Sequence, residues 1–206
     1  MCGRYVIEDD TEIEEMSKIL FELKKSFNNP ADLRNIKMSG EIFPGDTVPI
    51  ILPDLNNKIK VAPIKWGISQ PKNLIINARS EGVATRPMFR NAIKRGRCII
   101  PTNGFYEWKA PDSGKGKKIK YLIKKSASPM LYLAGIYDTY TDMKTGEQNS
   151  RFVIMTRDAL GIIRHLHHRM PIAVEKRNIL MWLNGNEEQV DDLINDKMPE
   201  YDLKAV

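Results

Sequence analysis

The sequence predicts a single α+β domain, residues 1–206, with a β-rich, barrel-like antiparallel core and a few peripheral helices. Three observations predict it. Short segments rich in β-branched and aromatic residues follow one another from Phe43 to Thr156. Helical periodicity is confined to the two ends of the chain. No internal repeat or linker divides the 206 residues, a length that suits one good core.

The elements follow in order. Thr11-Glu12-Ile13-Glu14 reads as a capping box, a hydroxyl at the cap and a carboxylate three residues on. Ile13, Met16, Leu20, Leu23 and Phe27 then recur at three-four spacing, so one amphipathic helix is expected up to Asn28-Asn29-Pro30. FPGDTVPIIL turns at Pro44-Gly45 and enters a strand. KIKVAPIKWGIS and NLIINARSE read as further strands, and RCIIP and GFYEWK are short and rich in β-formers. KIKYLIKK alternates through Ile119, Tyr121 and Ile123, while PMLYLAGIYD is almost continuously apolar, as a buried strand should be. TDMKTGEQNS reads as a hairpin loop with RFVIMT pairing behind it. A short helix is expected from Asp158 to His165, and a short extended piece at MPIAV. EKRNILMWLNG should be a helix turning Ile179, Leu180, Trp182 and Leu183 inward and stopping at Asn184-Gly185; EEQVDDLIND is a weaker one.

Composition narrows the function classes. Hydrophobic residues make up 42% and charged residues 28%, as in ordinary globular domains. No apolar run approaches a membrane span, and the start lacks the basic and apolar regions of a signal peptide. A cytoplasmic monomer is therefore expected, with no membrane partner. Cys2 and Cys98 are the only cysteines, too few for a disulfide scaffold. The net charge of +6 permits a polyanionic partner without requiring one. Arg90, Lys94, Arg95 and Arg97 cluster without an intervening acid. The lysine-rich GKGKKIKYLIKK reads more simply as a solvated hairpin running into a strand.

Four places carry chemistry. Cys2 follows the initiator Met1, so removal of Met1 would put an α-amine and a thiol on adjacent carbons. Taken alone, Cys2 fits a frayed terminus better. In INARSE, Asn77, Arg79 and Glu81 would share one strand face, which an exposed face explains equally well. In PTNGFYEW, Glu107 stands between Tyr106 and Trp108, where desolvation would raise its pKa toward neutrality; a Glu paired to an Arg at a strand end is the alternative. RHLHHRMP holds all three histidines, His165, His167 and His168. Other ligand candidates are few and no HExxH or CxxC pattern occurs, so no metal or cofactor is expected and an acid–base histidine beside Arg169 fits better.

Together MCGRY, FPGDTVPIIL, KWGIS, NARSE, RCIIPTNGFYEWK, YLAGIYD, FVIMT and HHRMP, in this order and spacing, resemble the SRAP family of abasic-site-processing proteins, also labelled SOS response-associated peptidases. The resemblance covers nearly the whole chain. It implies a protein that binds single-stranded DNA, or a junction with duplex, carrying an abasic site, and that bonds covalently to the sugar C1′. In a bacterial host it would be nucleoid-associated. By motif, Cys2 is the nucleophile, Asn77 orients it, and Glu107 and His167 handle protons. Arg4, Arg79 and Arg169 match positions that hold phosphates, and Trp66, Pro44 and Arg90 complete the expected DNA-binding set. Two departures stand out. ISQPKNLI lacks the aromatics that many relatives carry after the WG at Trp66-Gly67, and His168 stands where the family often has Asp.

The implied chemistry is a Schiff base closed to a thiazolidine by the Cys2 thiol. An α-amine suits the first step because its unperturbed pKa is about 7.7–8.0, against about 10.4 for lysine. A neighbouring ammonium should favour the thiolate early in the reaction. Two other readings stay open. One is an N-terminal-nucleophile peptidase, whose activity could also remove Met1; the other is a non-catalytic DNA-binding module.

Overall fold

The computed structural model describes residues 2–8, 13–54, 56, 58–111, 116–141 and 145–206. Along the chain these form β1 (Tyr5–Ile7), α1 (Glu14–Lys25), β2 (Gly40–Ile42), β3 (Thr47–Pro53), β4 (Ile59–Trp66), β5 (Ile68–Ser69), β6 (Leu74–Ile75), β7 (Asn77–Arg79) and α2 (Ala92–Arg95). The second half adds β8 (Arg97–Thr102), β9 (Gly104–Lys109), β10 (Ile119–Lys125), β11 (Leu131–Thr141), β12 (Gln148–Asp158), β13 (Arg169–Pro171), α3 (Ile179–Asn184), α4 (Glu187–Asn195) and β14 (Tyr201–Ala205).

Five strands close on themselves. β11 pairs with β8, β8 with β3, β3 with β4, β4 with β12, and β12 returns to β11. This is the barrel-like core the sequence predicts, and closure removes its sheet edges. One feature differs: β12 runs parallel to β4 and also to β7, which docks outside the ring. The residues explain the ring. Leu131–Ile136 on β11 and Arg97–Thr102 on β8 are buried at every position, as strands covered on both faces must be.

A second sheet lies beside it, wholly antiparallel, in the order β14-β10-β9-β1-β2. The chain crosses from the barrel to this sheet at Asn103. Its buried side chain accepts from the Glu8 N–H at 2.8 Å and donates to the Pro129 carbonyl at 2.9 Å. Gly104 follows, where a Cβ would meet the Ile123 carbonyl oxygen at 2.7 Å. That crossing sets β1 against β9.

Local expectations change in several places. α1 begins at Glu14 without a side-chain cap, and Thr11 of the expected capping box lies outside the described residues. It ends at Lys25, where Ser26 folds back onto the Leu23 carbonyl, so Phe27 is past the helix. Gly67, at φ +103°, breaks the expected strand after Trp66. NLIINARSE is not one strand: Glu81 sits on a 3-10 turn, Ser80–Gly82, and does not share a face with Asn77 and Arg79. β12 continues through Asp158, leaving only a 3-10 turn at Gly161–His165 where a helix was expected. Leu180 points outward, 51% exposed, while Ile179, Trp182 and Leu183 pack inward. β14, not foreseen, covers the edge of β10, with Ile123 opposite Leu203.

Arg97 also departs from the expected basic surface. It is buried, and its guanidinium donates to the carbonyls of Ile93, Lys94, Trp182, Leu183 and Gly185. It thereby joins the C-terminal ends of α2 and α3, where partial negative charge favours a cation.

Candidate active site

The site forms where β1, β7 and β9 meet. The Arg4 carbonyl accepts from the Tyr106 N–H at 2.9 Å, which extends the β1–β9 pairing beyond Tyr5↔Phe105 and brings Cys2 alongside Glu107. The Cys2 thiol donates to the Arg4 carbonyl at 3.8 Å. From the other side Asn77 Nδ2 donates to the Cys2 carbonyl at 3.0 Å. Asn77 Oδ1 is buried and has no hydrogen-bond partner among the described residues. Asn77 is itself held by the parallel register of β7 on β12, with Asn77 opposite Ile154.

Burial governs protonation here. Cys2 has no exposed surface and Glu107 is 2% exposed. Burial pushes the Cys2 thiol well up, and the nearby Glu107 charge adds to that, so the thiol is the stable form. The thiolate expected from the sequence is therefore not favoured. Burial likewise raises Glu107 above the ordinary carboxylate range. His167 moves the other way: burial, then the positive amino terminus and His168, push it down to about 4. The charge of Glu107 acts on the Cys2 thiol, which puts these two groups in one site. His167 arrives from the segment before β13. Its Nδ1 accepts from the Arg169 N–H at 2.9 Å, so a neutral ring carries its proton on Nε2. Its ring stacks on that of His168, centroids 4.3 Å apart.

The expected DNA-binding residues separate into two groups. Arg4, Pro44, Arg79 and Arg90 reach the surface. Arg4 lies 4.2 Å over the Phe43 ring and 5.1 Å from Trp108, with one Glu41 contact at 3.2 Å. The Arg79 side chain is exposed and makes no hydrogen bond or ion pair with another described residue, though its charge is felt by Glu81. Trp66 and Arg169 correct the expectation. Trp66 has no exposed surface: it packs on Tyr5 and Phe152 and donates from Nε1 to the Ile76 carbonyl at 3.0 Å. It supports the residue before Asn77 from behind. Arg169 is 4% exposed and committed to Glu81 and Asp158.

Sequence reasoning missed several neighbours. Lys118, placed in a solvated loop by its composition, carries charge felt by both Glu107 and His167. Lys120 pairs with Glu41 and lies 4.0 Å over the Tyr106 ring. Phe43, 40% exposed beneath Arg4, supplies an aromatic face that the segment after Trp66 lacks. The Arg–aromatic contact spans Arg4 and Phe43, and no local pattern announces it. No cluster of three or more potential metal ligands occurs among the described residues. Nor is any described helix long and apolar enough to cross a membrane.

Comparison with known proteins places this geometry in a family. Similar solved structures include proteins from Bacteroides thetaiotaomicron and Bordetella bronchiseptica. The first has a TM-score of 0.78 at 22% identity, covering 100% of this chain and 92% of that one. The second has a TM-score of 0.74 at 23% identity, covering 100% and 99%. At these identities the likeness shows the fold. Two Bacillus subtilis relatives are named abasic site processing proteins. YobE is 29% identical, over 98% of this chain and 90% of its own length. YoqW is 30% identical, over 94% and 84%. The Escherichia coli abasic site processing protein YedK is 25% identical, over 89% of this chain and 79% of its own length. The model of the family described as SOS response associated peptidase (SRAP) matches residues 1–206. The chain belongs to the SRAP family.

Proposed function

We propose that this protein processes abasic sites by crosslinking itself to them. After loss of Met1, Cys2 would bond to the ring-opened abasic sugar in single-stranded DNA or at a single-strand/duplex junction. One observation carries the reading. Asn77 holds the Cys2 carbonyl and the buried Glu107 bears electrostatically on the Cys2 thiol, and the motif resemblance adds His167 to them. The names of the relatives supply the substrate class.

The chemistry runs in balanced steps. As the hemiacetal opens to the aldehyde, the C1′ hydroxyl gives its proton to water and the ring oxygen takes one from water, while the neutral His167 Nε2–H hydrogen-bonds to that ring oxygen and guides the exchange. The neutral Cys2 amine attacks C1′, and a proton moves to the carbonyl oxygen to give a carbinolamine. Glu107, its pKa raised by burial, carries protons as water leaves and the iminium forms. It also offsets the cation. The Cys2 thiol then adds to the iminium carbon and gives up its proton, closing a five-membered thiazolidine. One water is lost overall. A buried neutral thiol suits this order, because the amine reacts first and the sulfur second. Asn77 Oδ1, on the side chain whose amide nitrogen holds the Cys2 carbonyl, is a buried acceptor assigned here to orienting the amine. Arg4 and Arg79 hold flanking phosphates, so binding is electrostatic and largely independent of sequence.

The family description also contains the word peptidase, and an N-terminal cysteine can attack an amide. Incubation with an abasic single-stranded oligonucleotide separates the readings. A denaturant-stable adduct, lost in Cys2→Ala, supports crosslinking. Turnover of a peptide by Cys2 with no DNA adduct would replace it with hydrolysis.

A further inference from the structure

The motif expectation assigned Arg169 to a phosphate, and the structure gives its guanidinium another occupation. Nη1 meets Glu81 Oε1 at 2.7 Å and Asp158 Oδ1 at 2.6 Å. Nη2 meets Glu81 Oε2 at 2.9 Å and the Thr156 carbonyl at 2.8 Å. The Glu81 contact is a two-point fork, the arrangement that fixes an arginine most firmly. The Arg169 side chain is 5% exposed, so a phosphate would have to displace two carboxylates to reach it.

The backbone of the same residue does something different. Its N–H donates to His167 Nδ1 at 2.9 Å and so selects the imidazole tautomer with hydrogen on Nε2. β13 is only three residues long and needs an anchor to keep that N–H in place. The side chain provides it. Asp158 is opposite Arg169 in the β12–β13 register, and Thr156 is opposite Arg79 in the β7–β12 register. Glu81 comes from the turn directly after β7, the strand whose Asn77 holds the Cys2 carbonyl. One guanidinium therefore joins the His167 side of the site to the Asn77–Cys2 side.

We propose that Glu81 and Asp158, acting through Arg169, are positioning residues that set the tautomer and placement of His167 relative to Cys2. This rests on the proposed crosslinking role of His167, but its geometry can be tested in the free protein. Glu81 is the residue to change because its side chain is half exposed, whereas Arg169 is buried.

The test uses the full chain with Met1 removed, as Glu81→Gln and Glu81→Asp. Nitrogen-15 NMR of the free protein should show His167 as the Nε2–H tautomer in the unmodified protein and as a mixture in Glu81→Gln. At saturating abasic oligonucleotide, Glu81→Gln should crosslink about tenfold more slowly, as expected when a group that guides proton exchange by hydrogen bonding is misplaced. Affinity for an intact single strand and its salt slope should stay as they were, and Glu81→Asp should recover part of the rate. Unchanged tautomer and rate in Glu81→Gln would overturn the proposal. So would tighter intact-strand binding with a steeper salt slope, because Arg169 would then be a phosphate ligand freed by the loss of its partner. A tautomer mixture in Glu81→Gln, with no crosslink by the unmodified protein, would support the positioning network and sink the reading of the reaction.

Discussion

Glu107 and Arg79 stand on different sides of one site, and water treats them differently. Glu107 is 2% exposed, and its protonation follows from burial more than from any neighbouring charge. Arg79, two residues along β7 from Asn77, is open to solvent and its side chain makes no ion pair among the described residues, though its charge is felt by Glu81. In the proposed reaction the pocket moves protons, and its desolvated groups suit that because they titrate far from their usual range. In the proposed complex the rim meets the DNA phosphates, because exposed charge works at long range and is screened by salt. Arg4 belongs to the rim as well, stacked on Phe43 and Trp108. The comparison teaches that two groups of one site can answer to different variables, pH for one and ionic strength for the other.

The largest change expected is at the pocket. Cys2→Ala should abolish the covalent product while intact-strand affinity, measured by anisotropy, is unaltered. Glu107→Gln should slow crosslinking by about a hundredfold or more, again without loss of binding. Its folded stability should hold or rise. The raised pKa means that any stability Glu107 contributes is present at low pH and is lost as pH rises through the folded value, so at neutral pH the glutamine removes a cost. A marked fall in Tm for this variant would mean that Glu107 is structural.

Arg97→Met comes next and touches neither region directly. It strands five carbonyl contacts at the ends of α2 and α3, three of them buried, so a loss of about 3 kcal/mol is expected in urea unfolding. The rim variants should be milder. Arg79→Ala should weaken intact-strand binding and reduce the salt slope by about one, with crosslinking at saturating DNA little changed. If it instead slowed the saturated rate, the division between rim and pocket would fail. The smallest effect concerns pH. His167 sits at about 4, below its ordinary 6.5, so the unfolded chain takes up its proton first as pH falls. The stability it contributes is present above pH 6.5 and is lost on the way down to about 4. His167→Gln should show a shallower decline over that window.

Much of the fold was legible because it is local. Alternation predicted β10, a continuous apolar run predicted β11, and three-four spacing predicted α1. The parallel pairing of β12 with β4 and β7 was not legible, because it joins strands far apart in sequence. β14 escaped for a different reason: its alternation is half exposed and weak. At the site, the motif resemblance implied Cys2, Asn77, Glu107 and His167; Asn77 does hold the Cys2 carbonyl and Glu107 does bear on the Cys2 thiol. It could not say which arginines are free. Arg79, Arg97 and Arg169 look alike in sequence, yet one meets water, one joins two helix ends and one is gripped by two carboxylates. That distinction depends on partners more than ten residues away in each buried case, and composition does not contain it.

The central claim is that residue 2 reacts through both its amine and its thiol. Intact mass spectrometry tests it most directly, on protein shown to lack Met1 and mixed with an abasic single-stranded oligonucleotide. The account predicts a denaturant-stable species at the sum of the two masses less one water, absent from Cys2→Ala and unstable to denaturant in Cys2→Ser. Free protein and free oligonucleotide as the only species, with Met1 removed, would contradict it.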